Sequence, residues 1–184
     1  MRDVVLHLTC IPQVGAATVL QVYYALGKHN FSQVYHMDVS QLQACGLKHA
    51  TASAIYHGLR DMRYRDRELK AIEAVGASYV TIVDDAYPHC LWHIPTPPPV
   101  LYYRGGSLHN LDKSVACIGS RKSGAYAKQA AERIIPDLVQ HEYAIVSGGA
   151  YGSDTIAHNT TLRHNGVTVA VLGSGLGYPY PRRN

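Results

Sequence analysis

Apolar positions in the first third of the chain recur at the spacing of short helices, whereas from Val115 onward short apolar runs alternate with amphipathic ones. The stretches "IPQVGAATVLQVYYALG" and "LQACGLKHATASAIYHGL" resemble each other. Each sets a glycine, Gly15 or Gly46, between apolar neighbours just ahead of an amphipathic helix. This resembles paired helix-hairpin-helix units. Such a glycine either lets backbone N–H groups approach a DNA phosphate or only permits a tight turn between helices. Residues 60–75, "RDMRYRDRELKAIEAV", alternate charge sign at helical spacing. Interleaved acids favour a solvated linker helix over a basic, DNA-facing stripe. "SYVTIVDD" then reads as a strand. In "AYPHCLWHIPTPPPVLYYRGG", Pro95, Pro97, Pro98 and Pro99 stiffen an extended lead-in to the short strand "VLYY".

The last part of the chain is more regular. Strand "VACI" leads to loop "GSRKSG" and a helix over about 124–140. Strand "YAIV" leads to "SGGAYGSD" and a helix over about 153–164, and "VTVAVL" leads to "GSGLGYPYP". Apolar strands alternating with helices imply right-handed crossovers and a parallel sheet flanked by helices. Pro136 falls inside the first of these helices and is expected to kink it or end it a turn early. The expectation is an α/β sheet domain over 79–184, preceded by a small all-α domain over 1–62 and a linker helix over 63–78.

In such a sheet every strand-to-helix loop emerges at the carboxyl edge of the strands. Three glycine/serine loops therefore open on one side, where helix N-termini favour anions. The candidate binding residues are Gly119, Ser120, Arg121 and Lys122 in the first loop, Ser147, Gly148 and Gly149 in the second, and Gly173, Ser174 and Gly175 in the third. The three serines can offer hydroxyls beside bare N–H groups. The first loop fits neither standard phosphate fingerprint. A P-loop needs Lys directly after its second glycine, where Ala125 stands, and the dinucleotide fingerprint needs glycine where Arg121 stands. An Arg at that place suits a ligand that passes over the loop, gripped at phosphate oxygens or stacked on at a base. A nucleic-acid strand is such a ligand. Asp154 and His158, one helical turn apart, are either a catalytic pair or structural support for the loop. No nucleophile completes a triad and the chain has no GxSxG elbow, so the structural reading is preferred and no catalytic residue is assigned.

Composition changes this picture only slightly. The 184 residues are 47% hydrophobic, enough for a packed core, and a net charge of +4 is compatible with a nucleic-acid partner. Fourteen Tyr stand against one Phe and one Trp, and tyrosine suits half-buried positions and stacking surfaces. Cys10, Cys45, Cys90 and Cys117 lie far apart without a CxxC, as in a reduced cytoplasmic protein. Cys90 and His93 have CxxH spacing but no second ligand pair, so neither a metal nor a cofactor is expected. The opening "MRDVVLHLTC" is too brief for a signal peptide or a membrane span, and no membrane partner is expected.

"YPHCLWHIPTPPPVLYYRG", "IGSRKSGAYA", "SGGAYGSDTIAH" and "TVAVLGSGLGYPYPRRN" follow one another over residues 87–184 in the order seen in the DNA-processing protein A family (DprA, also called Smf), which this chain resembles. The resemblance implies a Rossmann-like domain preceded by a small helical (SAM-like) one. It also implies a single-stranded DNA-binding protein of natural transformation that shields incoming strands and helps load the recombinase RecA. The family's GSR arginine falls on Arg121, its SGxAxGxD loop on Ser147–Asp154, and its glycine-rich loop on Gly173–Gly177. The basic residues after YP fall on Arg182 and Arg183, which the resemblance adds to the DNA-binding set. Three positions depart from the pattern: Ala127 replaces a glycine, Ser153 an apolar residue and Gly177 an acidic one. The family's Rossmann-like domain continues beyond the position of Asn184 into a part that resembles the region used for self-association and recombinase contact. The resemblance thus implies an incomplete sheet domain here and a homodimer in the full-length protein. The rival is a nucleotide phosphoribohydrolase of the LOG type, whose hallmark is PGGxGTxxE. "SGGAYGSDTIAH" has an extra residue after the glycine pair and no Glu. A mononucleotide sensor is a third reading.

Overall fold

In the computed structural model, which describes residues 1–108 and 111–181, helices dominate the first part of the chain: α1 (Arg2–Cys10), α2 (Ala16–Asn30), α3 (Val39–Ala44), α4 (His49–Gly58) and α5 (Arg63–Ala74). The hairpins α1–α2 and α3–α4 coincide with the two similar stretches of sequence. Gly15 opens α2 as its N-cap, and Gly46 turns the chain between α3 and α4 at φ +85°. The start of α3 is fixed reciprocally. The Asp38 carboxylate accepts from Gln41 N at 2.8 Å, and Gln41 Oε1 accepts from Asp38 N at 2.9 Å, so two otherwise orphaned N–H groups are satisfied. The hairpins meet where Gly58 packs directly on Ile11 and where the Gln21 amide donates to Cys45 O at 3.2 Å.

Between them lies a core containing Val5, Leu8, Val19, Val22, Phe31, Leu42, Ala52 and Ile55, all shut off from solvent. Each large side chain of this kind contributes roughly 1.5–3 kcal/mol by leaving water. His7 is buried with them. Its Nε2 donates to the Asp61 carbonyl at 3.1 Å, so Nδ1, 3.1 Å from the Tyr35 hydroxyl, is the acceptor of the neutral ring. Burial pushes the His7 pKa below the ordinary value.

A two-stranded antiparallel sheet completes this part: β1 (Ser78–Thr81) pairs with β2 (Val100–Tyr103), Tyr79 opposite Tyr102. β1 is shorter than its apolar run because the Asp84 carboxylate accepts from Thr81 N at 2.7 Å and from the Thr81 hydroxyl at 3.0 Å, turning the chain. The proline-rich stretch is pinned by the Tyr87 hydroxyl on Pro98 O at 2.9 Å and by Ile82 N on Pro99 O at 2.9 Å. Val80, Ile82, Val83 and Tyr87 join the helical core, while Tyr79 packs with Leu6 and Ile72 of α5. Residues 1–109 therefore form one compact unit and 110–184 another. The linker helix and both early strands sit with the helices, whereas the sequence grouped the strands with the later sheet.

The second unit is built from β3 (Ser114–Ala116), α6 (Ala125–Gln140), β4 (Ala144–Gly148), α7 (Ser153–Arg163) and β5 (Thr168–Val171). The strands lie in the order β3-β4-β5, all parallel, with Val115 opposite Ile145 and Ile145 opposite Thr168. The architecture is thus the expected one, a parallel sheet flanked by helices in a chain whose first elements, up to α5, are all helical. α6 does not stop at Pro136; it runs on to Gln140. Its apolar residues on both sides of the proline, Ala131, Ile135, Leu138 and Val139, pack with Val115, Cys117, Ile145 and Ala157, which holds the last turn in place despite the missing N–H. By strand alternation Ala116, Val146, Val169 and Val171 face the other way, and Val171 is 62% exposed. Among the described residues, no helix is long and apolar enough to cross a membrane, and no group of metal-binding side chains is assembled.

Candidate nucleic-acid interface

Parallel strands send all three following loops to one edge, and backbone contacts join the loops there. Ser153 N and the Ser153 hydroxyl both donate to Ser120 O, at 3.1 and 3.2 Å, tying the second loop to the first. Gly152, at φ +83°, lies against the carbonyl groups of Ser120 and Arg121, so a Cβ there would collide with backbone. Gly149 lies under the Leu172 side chain with Tyr180 O beyond it, which brings the third loop against the second. Gly119 and Gly148 are equally crowded, by the Ser153 side chain and by Asp154 Oδ2 respectively, whereas Gly173 and Gly175 stand in open space.

The second loop is held from below by α7. Asp154, buried, accepts from Ala150 N at 3.2 Å, and the Thr155 hydroxyl donates to Ala150 O at 3.0 Å. His158 Nε2 donates to Gly148 O at 2.7 Å, and Nδ1 lies 2.7 Å from Thr168 Oγ1 on β5. Asp154 and His158 thus each grip the loop, and no bond joins them to each other. α6 and α7 both begin at a glycine, Gly124 and Gly152, with no side-chain cap over their first N–H groups. The α6 dipole therefore leaves partial positive charge at this edge, whereas at α7 the Asp154 carboxylate in the first turn and the bond from Ser153 N to Ser120 O offset it.

The candidate residues fall into distinct places. Arg121 and Lys122 are exposed, and among the described residues neither forms an ion pair. Ser120 is exposed too, its hydroxyl accepting from Lys122 N at 3.1 Å. Ser147 is buried and its hydroxyl donates to Cys117 O at 2.5 Å, so that serine stitches β4 to the end of β3 and is not offered to a ligand. Among the described residues the buried hydroxyl of Ser174 has no hydrogen-bond partner, which leaves an unsatisfied polar atom in the third loop. Arg182 and Arg183 lie outside the described residues.

Sequence reasoning missed two groups. Ser153, noted only as a departure from an apolar pattern, is the residue that joins two loops; a small hydroxyl residue directly after the loop glycine was the available signal. The other group is the tyrosines Tyr126, Tyr151, Tyr178 and Tyr180, which stand in or next to the three loops and are 82%, 48%, 81% and 75% exposed. Their excess in the composition was visible; their location was not.

The parallel order, the helices between strands and the joined glycine loops define a Rossmann-like α/β unit with its candidate site at the carboxyl edge of the sheet. The chain belongs to the DNA recombination-mediator protein A family, whose model matches residues 78–184. It is 42% identical over 110 residues to Protein Smf of Synechocystis, an alignment covering 58% of this chain and 28% of that protein. It is 41% identical over 108 residues to the DNA processing protein DprA of Streptococcus pneumoniae, covering 56% and 36%. To Protein Smf of Escherichia coli it is 30% identical over 157 residues, covering 85% and 41%. The X-ray structure of DNA processing protein A (DprA) from Streptococcus pneumoniae matches the fold with a TM-score of 0.65 at 26% identity, over 93% of this chain and 62% of that one. The alignments thus span 28% to 41% of the length of these sequence relatives.

Proposed function

We propose that this chain is a DNA-processing protein whose α/β unit holds single-stranded DNA along the carboxyl edge of its sheet, with Arg121 as the principal phosphate contact. The observation that carries the reading is an exposed Arg121–Lys122 pair, without an ion-pair partner among the described residues, on a loop bonded to the second glycine loop, against which the third packs. A cation without a partner is available to a ligand; one already paired with a carboxylate is not. The joined loops add backbone N–H groups and the start of α6, which has no side-chain cap, while Gly152, set against the Ser120 and Arg121 carbonyl groups, lets the first two loops approach closely. Relatives named DNA processing protein agree with a DNA ligand. The wider role follows the resemblance: protection of incoming strands in natural transformation and delivery to RecA in the cytoplasm, with the full-length protein acting as a homodimer. The unit is read as a binding surface and not as an enzyme, since Asp154 and His158 are both engaged in holding the second loop.

The test is a titration of labelled oligothymidine, with duplex DNA and ATP as competitors, on the parent and on Arg121→Ala. A charge-assisted hydrogen bond contributes roughly 1.5–3 kcal/mol, so the variant should bind at least about tenfold more weakly. The slope of log affinity against log salt should fall by about 0.7 for one phosphate of a single strand. Lys122→Ala is expected to do less. Unchanged affinity and slope in Arg121→Ala would remove the first loop from the site, and displacement of oligothymidine by ATP would move the nucleotide-binding reading ahead.

A further inference from the structure

The Tyr126, Tyr151, Tyr178 and Tyr180 side chains are an unusual cost for a surface. A tyrosine ring left in water forfeits most of the benefit it would gain from burial, and in the helical unit several rings are spent on packing, although Tyr24 is 62% exposed and Tyr102 41%. Tyr23 and Tyr87 both pack against Trp92, Tyr35 meets His7, and Tyr79 and Tyr102 face each other across β1 and β2. In the second unit the distribution is reversed. The exposed tyrosines occur in or beside each of the three loops of the carboxyl edge: Tyr126 in the first turn of α6, Tyr151 beside Gly152, and Tyr178 and Tyr180 after β5. The loops that carry them are the ones joined by Ser153 to Ser120 and by Gly149 under Tyr180 O.

We infer that these tyrosines form a stacking platform for unpaired nucleobases, with Tyr151 and Tyr178 as its central members. The inference rests on the single-stranded DNA reading and adds to it a second kind of contact. Arg121 and Lys122 grip the phosphate chain, and the rings take the bases that a single strand, unlike a duplex, leaves with open faces. Each base has a π-face, so stacking tolerates any sequence. It also predicts discrimination: a duplex keeps its bases stacked on one another and would satisfy only the charged part of the site, and a lone nucleotide would reach only one ring. The Tyr151 position sits between Ala150, held by Asp154 and Thr155, and Gly152, wedged against the first loop, so its backbone is fixed on both sides. A ring on a fixed backbone loses little freedom on stacking, which favours binding.

The experiment compares an oligothymidine with an abasic deoxyribose-phosphate oligomer of equal length, on the parent and on Tyr151→Ala, Tyr178→Ala and Tyr178→Phe, with Arg121→Ala alongside. The parent should bind oligothymidine at least about tenfold more tightly than the abasic chain. Each alanine variant should lose roughly tenfold on oligothymidine, with the salt slope unchanged, and little on the abasic chain. Tyr178→Phe keeps the ring and should retain parental affinity. Equal binding of both oligomers by the parent, or alanine variants that keep their preference, would overturn the platform while leaving the DNA site intact, provided that Arg121→Ala still weakens binding. Tyrosine variants that alter self-association without altering DNA affinity would likewise overturn it, marking the edge as a protein contact. Failure of the parent to bind either oligomer would sink both readings together.

Discussion

The two units distribute similar residues differently. In the helical unit Arg63 pairs with Asp61 at 2.7 Å, Arg65 with Asp66 at 2.8 Å and Lys28 with Asp85 at 3.2 Å, while Lys48, Arg67 and Lys70 form no ion pair among the described residues; in the sheet unit Glu132 answers Lys128 and Arg163. In the first loop of the sheet unit, Arg121 and Lys122 have no such partner among the described residues. The helical unit packs Tyr23 and Tyr87 inward around Trp92 and Phe31 but leaves Tyr24 exposed, and the sheet unit places four tyrosines of its loop edge in solvent. Surface ion pairs of the first kind stabilise little, but they do neutralise charge that would otherwise attract a polyanion. Charge count alone therefore points to neither unit; the proposed site rests on exposed charge carried by a backbone arranged to receive a ligand.

Two glycines sharpen the contrast most. Gly46 and Gly152 have nearly the same φ, +85° and +83°. A Cβ at Gly46 would meet the end of the Gln21 side chain, which can swing away; a Cβ at Gly152 would meet the carbonyl groups of Ser120 and Arg121, which cannot. Gly152→Ala is therefore expected to have the larger effect, about 3 kcal/mol or more from backbone strain together with the collision. It should also lower oligothymidine affinity as the first loop is pushed off the second. Gly46→Ala should cost about 1–2 kcal/mol of helical-unit stability and leave DNA affinity unchanged. Circular dichroism melts and the same titration check both. The sole tryptophan, Trp92, lies in the helical unit and gives that unit its own fluorescence signal. Equal effects of the two substitutions on DNA binding would erase the distinction between the units.

The smallest effect is a pH dependence confined to the helical unit. His7 is buried neutral, and burial holds its pKa below that of an unfolded chain, 6.5. The unfolded state takes up the proton first, so stability is fully present above pH 6.5 and declines as pH falls from there towards the lower folded-state pKa. Asp38 and Asp61, whose carboxylates are lowered by hydrogen bonds from Ser40 and Arg63, act in the same direction but only below 3.8. The Trp92 denaturation midpoint should drop between pH 7 and pH 5.5, and His7→Gln should flatten that drop. A midpoint that rises on acidification would contradict the burial of a neutral ring.

The sheet was legible in the sequence because its signals are local. Each apolar run of β3, β4 and β5 ends in its own glycine loop, and α6 and α7 follow the first two, so the parallel arrangement and the placement of the loops at one edge needed only the rule for crossovers. The pairing of β1 with β2 was not legible. It depends on where the segment after Pro99 returns, and on Asp84 cutting the first strand short, both of which are contacts at a distance. At the site, the exposure of Arg121 followed from its place after a strand. The inward turn of Ser147 could not be separated from an outward one by residue type, since its hydroxyl is taken by Cys117 O across the sheet. The helix through Pro136 shows the same limit, because packing of Leu138 and Val139 outweighs the local break.

Hydrogen exchange with and without saturating oligothymidine tests the central claim most directly, since it reads both units in one sample. The account predicts slowed exchange in the segments 118–126, 148–153 and 172–181, where the three loops meet, and none in the hairpins around Gly15 and Gly46. Protection centred on those hairpins, with the three loops exchanging as in the free protein, would place the DNA on the helical unit and contradict it.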